Sequence, residues 1–158
     1  MKIMMLLSAF AVLSVMACSK SGVGASSGND SITVLPASSV PAPVTAALAR
    51  DFSGATEVEW HKRSGSATFS AQFNQSGERH EAGFDDSGHQ QSHSIICFDG
   101  AVPAAVLDAF RQRFPNDNVY EWKLANDGTW KAHFLRSGVK YEATFSASGT
   151  LIKFEQSR

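Results

Sequence analysis

At 158 residues, with 43% hydrophobic and 18% charged side chains, the chain is long enough for one domain or two small units sharing a sheet. It is too apolar for disorder to be the default. Fourteen basic against fifteen acidic side chains give a formal charge of −1, a balance with no basic footprint for nucleic acid and no polybasic patch for anionic lipid.

Residues 1–17 read as a targeting segment. Lys2 supplies a positive start, and the apolar run over residues 3–16 is too short to span a bilayer comfortably. The segment ends in Val15-Met16-Ala17-Cys18, which resembles a bacterial lipobox. That resemblance implies cleavage before Cys18, acylation of its thiol, and attachment to a membrane surface through lipid alone. A plain signal peptide cut nearby is the alternative. With Cys18 acylated, Cys97 is left without a disulfide partner and reads as a buried thiol at the apolar end of a strand, Ile95-Ile96-Cys97-Phe98. Residues 18–39 are rich in Ser, Gly and Ala and read as a flexible tether, with a short apolar patch at Ile32–Leu35 that is not assigned to a strand.

Two similar units follow, over residues 40–98 and 99–158. Pro41 aligns with Pro103, Phe52 with Phe114 and Trp60 with Trp122. After a one-residue change, Phe73-Asn74-Gln75-Ser76-Gly77 aligns with Phe134-Leu135-Arg136-Ser137-Gly138, and Phe84-Asp85-Asp86-Ser87-Gly88 with Phe145-Ser146-Ala147-Ser148-Gly149. Each unit opens on a helix. Prolines suit its first turn, and Val44, Leu48 and Phe52, or Val106, Phe110 and Phe114, recur on one face. Pro115 should end the second helix, whereas Ser53-Gly54 ends the first. Helices of about three turns are marginal alone and must dock on a sheet.

Period-two alternation supplies that sheet. In the second unit Tyr120/Trp122, Trp130/Ala132/Phe134, Tyr141/Ala143/Phe145 and Ile152/Phe154 share one face; in the first, Val58/Trp60, Phe69/Ala71/Phe73 and His80/Ala82/Phe84 do. Hairpin turns fall at Ser64-Gly65, Ser76-Gly77, Ser87-Gly88, Asn126-Asp127-Gly128, Ser137-Gly138 and Ser148-Gly149. Small alanines at strand centres leave room for a helix to lie across, so the aromatics around them read as core. The fold class is α+β: two α-β-β-β-β repeats with helices on one face of an antiparallel sheet and the other face open to water.

By the same parity the open face carries Glu121, Lys123, Lys131, His133, Lys140 and Glu142, which form the candidate binding face. Lys153 and Glu155 join them, and the first unit adds Glu59, His61, Ser70, Gln72, Arg79 and Glu81. Cross-strand pairing of opposite charges explains these residues equally well without any partner. This count leaves the face without an exposed Trp or Tyr anchor, so binding there should be weak or transient.

Catalysis and metal binding find little support. His89 and His93 lie four apart, with His80 in the preceding strand, but no HExxH or CxxC fixes a geometry, so no metal and no cofactor is expected. Asp85/Asp86 sit in a turn, where aspartate is expected for backbone hydrogen bonding. No GxSxG, P-loop or GxGxxG is present, and the chain reads as a non-enzyme.

The pattern VPxxVxxAFxxxFP, the strand start Glu121-Trp122 and the run AxFxxSGxxYEAxFxxSGxL resemble the PepSY-like, beta-lactamase-inhibitor-like family of small exported bacterial proteins. The resemblance covers residues 40–156, with departures at Leu48, Ser53 and His80. It implies helices on one face of an antiparallel sheet and binding or inhibition of an envelope or secreted protein; it supplies no catalytic residues. A structural or assembly lipoprotein of the envelope is the alternative.

Overall fold

The structure, a computed structural model, describes residues 31–157; the targeting segment, Cys18 and the tether up to residue 30 lie outside the described residues. One nine-stranded antiparallel sheet runs in sequence order: β1 (Ile32–Leu35), β2 (Thr56–Arg63), β3 (Phe69–Gln75), β4 (Glu78–Phe84), β5 (Gln90–Cys97), β6 (Val119–Ala125), β7 (Trp130–Arg136), β8 (Val139–Phe145) and β9 (Leu151–Gln156). Two helices, α1 (Ala42–Asp51) and α2 (Ala104–Arg113), precede β2 and β6. The patch expected within the tether is ordered: Ile32–Leu35 pairs antiparallel with β2, and a 3-10 turn at Ala37–Ser39 leads into α1.

Each helix roofs its own core. Val44, Ala47, Leu48 and Phe52 pack with Trp60, Ala71, Phe73, Ala82 and Phe84; Val106, Phe110 and Phe114 pack with Trp122, Trp130, Ala132, Phe134, Ala143 and Phe145. Ala71, Ala82, Ala132 and Ala143 are fully buried, which lets each helix lie close to the strand centres. Phe73, Phe84, Phe134 and Phe145 are likewise fully buried, each contributing on the order of 2–3 kcal/mol of burial. Both helices end alike despite Ser53 standing where the other has Pro115. Phe52 and Phe114 leave helical geometry at φ −128° and −132°, and their amides donate to Leu48 and Phe110 carbonyls at 2.9 and 2.8 Å.

Two glycines tie sheet to helix. Gly88 and Gly149 have φ of +81° and +84°, and a Cβ at either would overlap the carbonyl of Pro43 or Ala105 in the first helical turn. These turns therefore need glycine both for backbone conformation and for close approach.

Four expectations are corrected. One extra residue bulges β2 between Thr56 and Glu59, and another bulges β6 between Val119 and Glu121. A bulge resets which side chains face the core. Tyr120 (53% exposed) consequently points away from it, not into it, and Val58, 38% exposed, is not buried in it. Ile152 stands at a bulge in β9 and is exposed; Phe154 is 43% exposed although its ring stacks on Tyr141. Cys97 is half-buried rather than buried, with burial raising its thiol pKa. Phe98, the expected apolar strand end, lies beyond β5 and is 89% exposed.

Candidate functional site: the helix-free face of the sheet

The face opposite the helices is polar by sequence, and its centre is nevertheless shielded from water. Strands β6 to β8 bring Glu121 opposite His133, Lys123 opposite Lys131, and His133 opposite Glu142. His133 donates from Nδ1 to Glu121 Oε1 at 3.0 Å and from Nε2 to Glu142 Oε2 at 2.9 Å. An ionised carboxylate only accepts, so both ring nitrogens must carry protons and His133 is an imidazolium. Burial opposes that charge, yet the bonds to Glu121 and Glu142 outweigh it and raise the pKa above the ordinary 6.5. On Glu142 the hydrogen bond from His133 dominates, burial opposes it, Lys131 assists at 3.1 Å, and the pKa falls to about 2.

Lys123 extends the network across the sheet. Its ammonium reaches Glu121 at 3.2 Å and, past the intervening β5, Glu81 of β4 at 2.9 Å. Gln72 Nε2 donates to the same Glu81 oxygen at 3.0 Å. Glu81 stands opposite Ser94 on β5, a residue small enough to leave that path open. Lys123 is only 8% exposed. Burial acts to lower its pKa, but Glu81 and Glu121 outweigh this and raise it; Glu121 is depressed because His133 and Lys123 overcome the burial that would raise it.

Three carboxylates (Glu81, Glu121, Glu142) thus meet three cations (Lys123, Lys131, protonated His133), and the cluster is neutral only while His133 holds its proton. Five of the six expected binding-face residues belong to it. Lys140 does not: it lies opposite Leu135 near the β7–β8 turn, exposed and outside the network.

Sequence reasoning missed an exposed tyrosine. The bulge in β6 turns Tyr120 to this face, 53% exposed, with its ring 6.3 Å from that of His133. It also left Glu81 and Gln72 out of the binding face, although parity had placed both on this side. Only a sheet continuous through β5 brings them to Lys123.

The first half holds a second histidine cluster, on the helix side. His80, 7% exposed, donates from Nε2 to the Gln75 carbonyl at 3.2 Å, and its Nδ1 lies 3.0 Å from His93 Nε2 in a hydrogen bond between the rings. The two rings stack 5.3 Å apart. Burial first, then His80, lowers the His93 pKa. His89 points elsewhere, its Nδ1 3.2 Å from Asp85, whose carboxylate also caps the turn by accepting from the Ser87 and His89 amides. Among the described residues no group of three or more His, Cys, Asp or Glu is placed to hold a metal ion, and no helix is long and apolar enough to cross a membrane.

No family model and no curated protein sequence matches the chain. Solved structures do. A BLIP-like protein from Bacteroides fragilis is 20% identical, with a TM-score of 0.58 over 77% of this chain and 87% of that one. A DUF2874 family protein from Bacteroides uniformis is 22% identical, TM-score 0.59, over 74% and 89%. A protein from Bacteroides eggerthii described as a candidate periplasmic protein is 20% identical, TM-score 0.58, over 74% and 88%. The chain is similar to these in fold: an antiparallel sheet with two helices, of beta-lactamase-inhibitor-like architecture.

Proposed function

We propose that the chain is a non-enzymatic binding module of the cell envelope that docks a protein partner on the helix-free face, with Tyr120 as its anchor. The observation that carries this reading is an exposed tyrosine seated beside a charge-balanced, water-shielded network. Aromatic anchors next to fixed polar groups are the usual composition of binding hot spots, and preset charges select the partner more than they add affinity. The likeness to a BLIP-like protein and to a candidate periplasmic protein supports an envelope partner. Attachment through an acylated Cys18 completes the proposal, and so does an origin of the two halves by duplication of one α-β-β-β-β unit. The matched helix caps and paired glycines support that origin.

Tyr120→Ala and Lys131→Glu, each checked for intact folding, should weaken capture of an envelope protein, the second chiefly at low salt. Undiminished capture by Tyr120→Ala would overturn the assignment of this face. Cys18→Ser should abolish acyl labelling and release the chain from membranes; unchanged labelling would refute the lipid anchor. A structural or assembly role is the second reading, favoured by one observation: the network's charges already satisfy one another.

A further inference from the structure

Among the described residues both edges of the nine-stranded sheet are open, and both carry apolar side chains: Ile32 and Val34 on β1, Ile152 and Phe154 on β9. An open edge presents unpaired N–H and C=O groups that template another strand. The two edges differ in charge. β1 (ITVL) has none, whereas β9 carries Lys153 and Glu155 two residues apart on the helix-free face.

The backbone of β9 fixes which residues can pair outward. The Ser157 amide donates to the Lys140 carbonyl at 2.9 Å, and the register places Glu155 opposite Glu142, Phe154 opposite Ala143 and Lys153 opposite Thr144. Alternate residues of an antiparallel strand turn both backbone groups to the same neighbour. Ser157, Glu155 and Lys153 therefore bond to β8, while Phe154 and Gln156 turn theirs outward.

We propose that β9 is a self-recognition edge: two copies of the chain pair antiparallel about a two-fold axis through Phe154, joining their sheets into one. In that register Phe154 meets Phe154 of the second copy and exchanges two backbone hydrogen bonds with it, and Ile152 meets Gln156. Lys153 of each copy then faces Glu155 of the other. A lone lysine on an edge normally discourages pairing; a glutamate two residues on makes the same lysine complementary to its own strand. Within one chain Lys153 Nζ already lies 2.7 Å from Glu155 Oε1, so pairing turns that ion pair into a square of alternating charges. The added cation is useful, since Glu155 stands opposite another carboxylate, Glu142. Pairing also covers Phe154, which the core leaves 43% exposed. A two-fold contact closes at the dimer, whereas β9 joining β1 of the next copy would propagate without end.

Charge reversal tests this without disturbing the core, because Lys153 and Glu155 side chains are both largely exposed. The full chain, purified as the cell processes it and held in mild detergent, is weighed by light scattering over a concentration series at low salt. Circular dichroism confirms folding of each variant. The native chain should form a dimer. Lys153→Glu and Glu155→Lys, each placing like charges opposite, should weaken it by about tenfold. The double reversal should restore it, and mixing the two single variants should yield a heterodimer tighter than either homodimer. A native chain that stays monomeric overturns the proposal. So do single reversals that dimerise as well as the native chain, a mixture that gains nothing, or open-ended species that disappear when β1 is altered.

Discussion

The two halves build the same aromatic box from different chemistry. In the second half Phe114, Phe134, Tyr141 and Phe154 stack beneath the C-terminus of α2; in the first half Phe52, Phe73, His80 and His93 take the matching places under α1. The ring spacings follow one another closely. Phe52–Phe73 and Phe114–Phe134 are 4.8 and 5.1 Å, Phe52–His93 and Phe114–Phe154 are 4.9 and 5.1 Å, and His80–His93 and Tyr141–Phe154 are 5.3 and 5.4 Å. The second box has a cation beside it. Arg136, paired to Asp117 at 2.6 Å, lies 5.5–5.8 Å from all four rings, a cation–π arrangement. Packing geometry is thus kept while titration behaviour is exchanged: the first box holds His93, whose burial opposes its charge, and the second holds no histidine.

The histidines give the halves opposite responses to pH. A His93 pKa held below its ordinary value means that folding resists its proton, so the first half loses stability as pH falls below about 6.5. On the other face His133 is held above that value. Its contribution is complete below about 6.5 and disappears as pH rises through the folded pKa. Glu142, depressed to about 2, keeps its contribution above its unfolded value near 4.5 and loses it as pH falls through about 2.

The largest expected effects treat the halves alike. Phe73→Ala and Phe134→Ala each remove a fully buried ring, and each should cost about 3–5 kcal/mol in chemical denaturation. A cost confined to one of them would show that the two cores are not equivalent. Gly88→Ala and Gly149→Ala come next, at about 2–4 kcal/mol, since both combine a positive φ with collision against a helix carbonyl. Tolerance of either would mean that its helix can shift away. A smaller and sharper effect separates the halves. His80→Tyr combined with His93→Phe rebuilds the second box in the first half, and should stabilise the protein at pH 5 more than at pH 8. A pH-independent change would remove the titrating role from His93.

How much of this was legible depends on whether a feature is local. Hairpin glycines, the alanines under the helices and the phenylalanine stripes follow from turn chemistry and periodicity, and the structure keeps them. The exposure of Tyr120 was not legible, because a single extra residue there inverts the parity of everything before it in β6, and nothing in Val119-Tyr120-Glu121 announces a bulge. In β2 the corresponding irregularity places Glu57 at φ +50°, an equally silent position in sequence. Strand β1 escaped because it follows a stretch of Ser and Gly and gains its order by pairing with β2. The reach of Lys123 to Glu81 escaped because it spans strands from both halves, which no reading of one half can supply.

The most direct measurement of the account is a histidine titration by NMR, following Nδ1 and Nε2 of His93 and His133 separately in the same folded sample. His133 should titrate above 6.5 with both ring nitrogens protonated below its midpoint, while His93 should titrate below 6.5. A neutral His133 at pH 6.5, or the two midpoints in reverse order, would contradict the imidazolium on which the helix-free face is built.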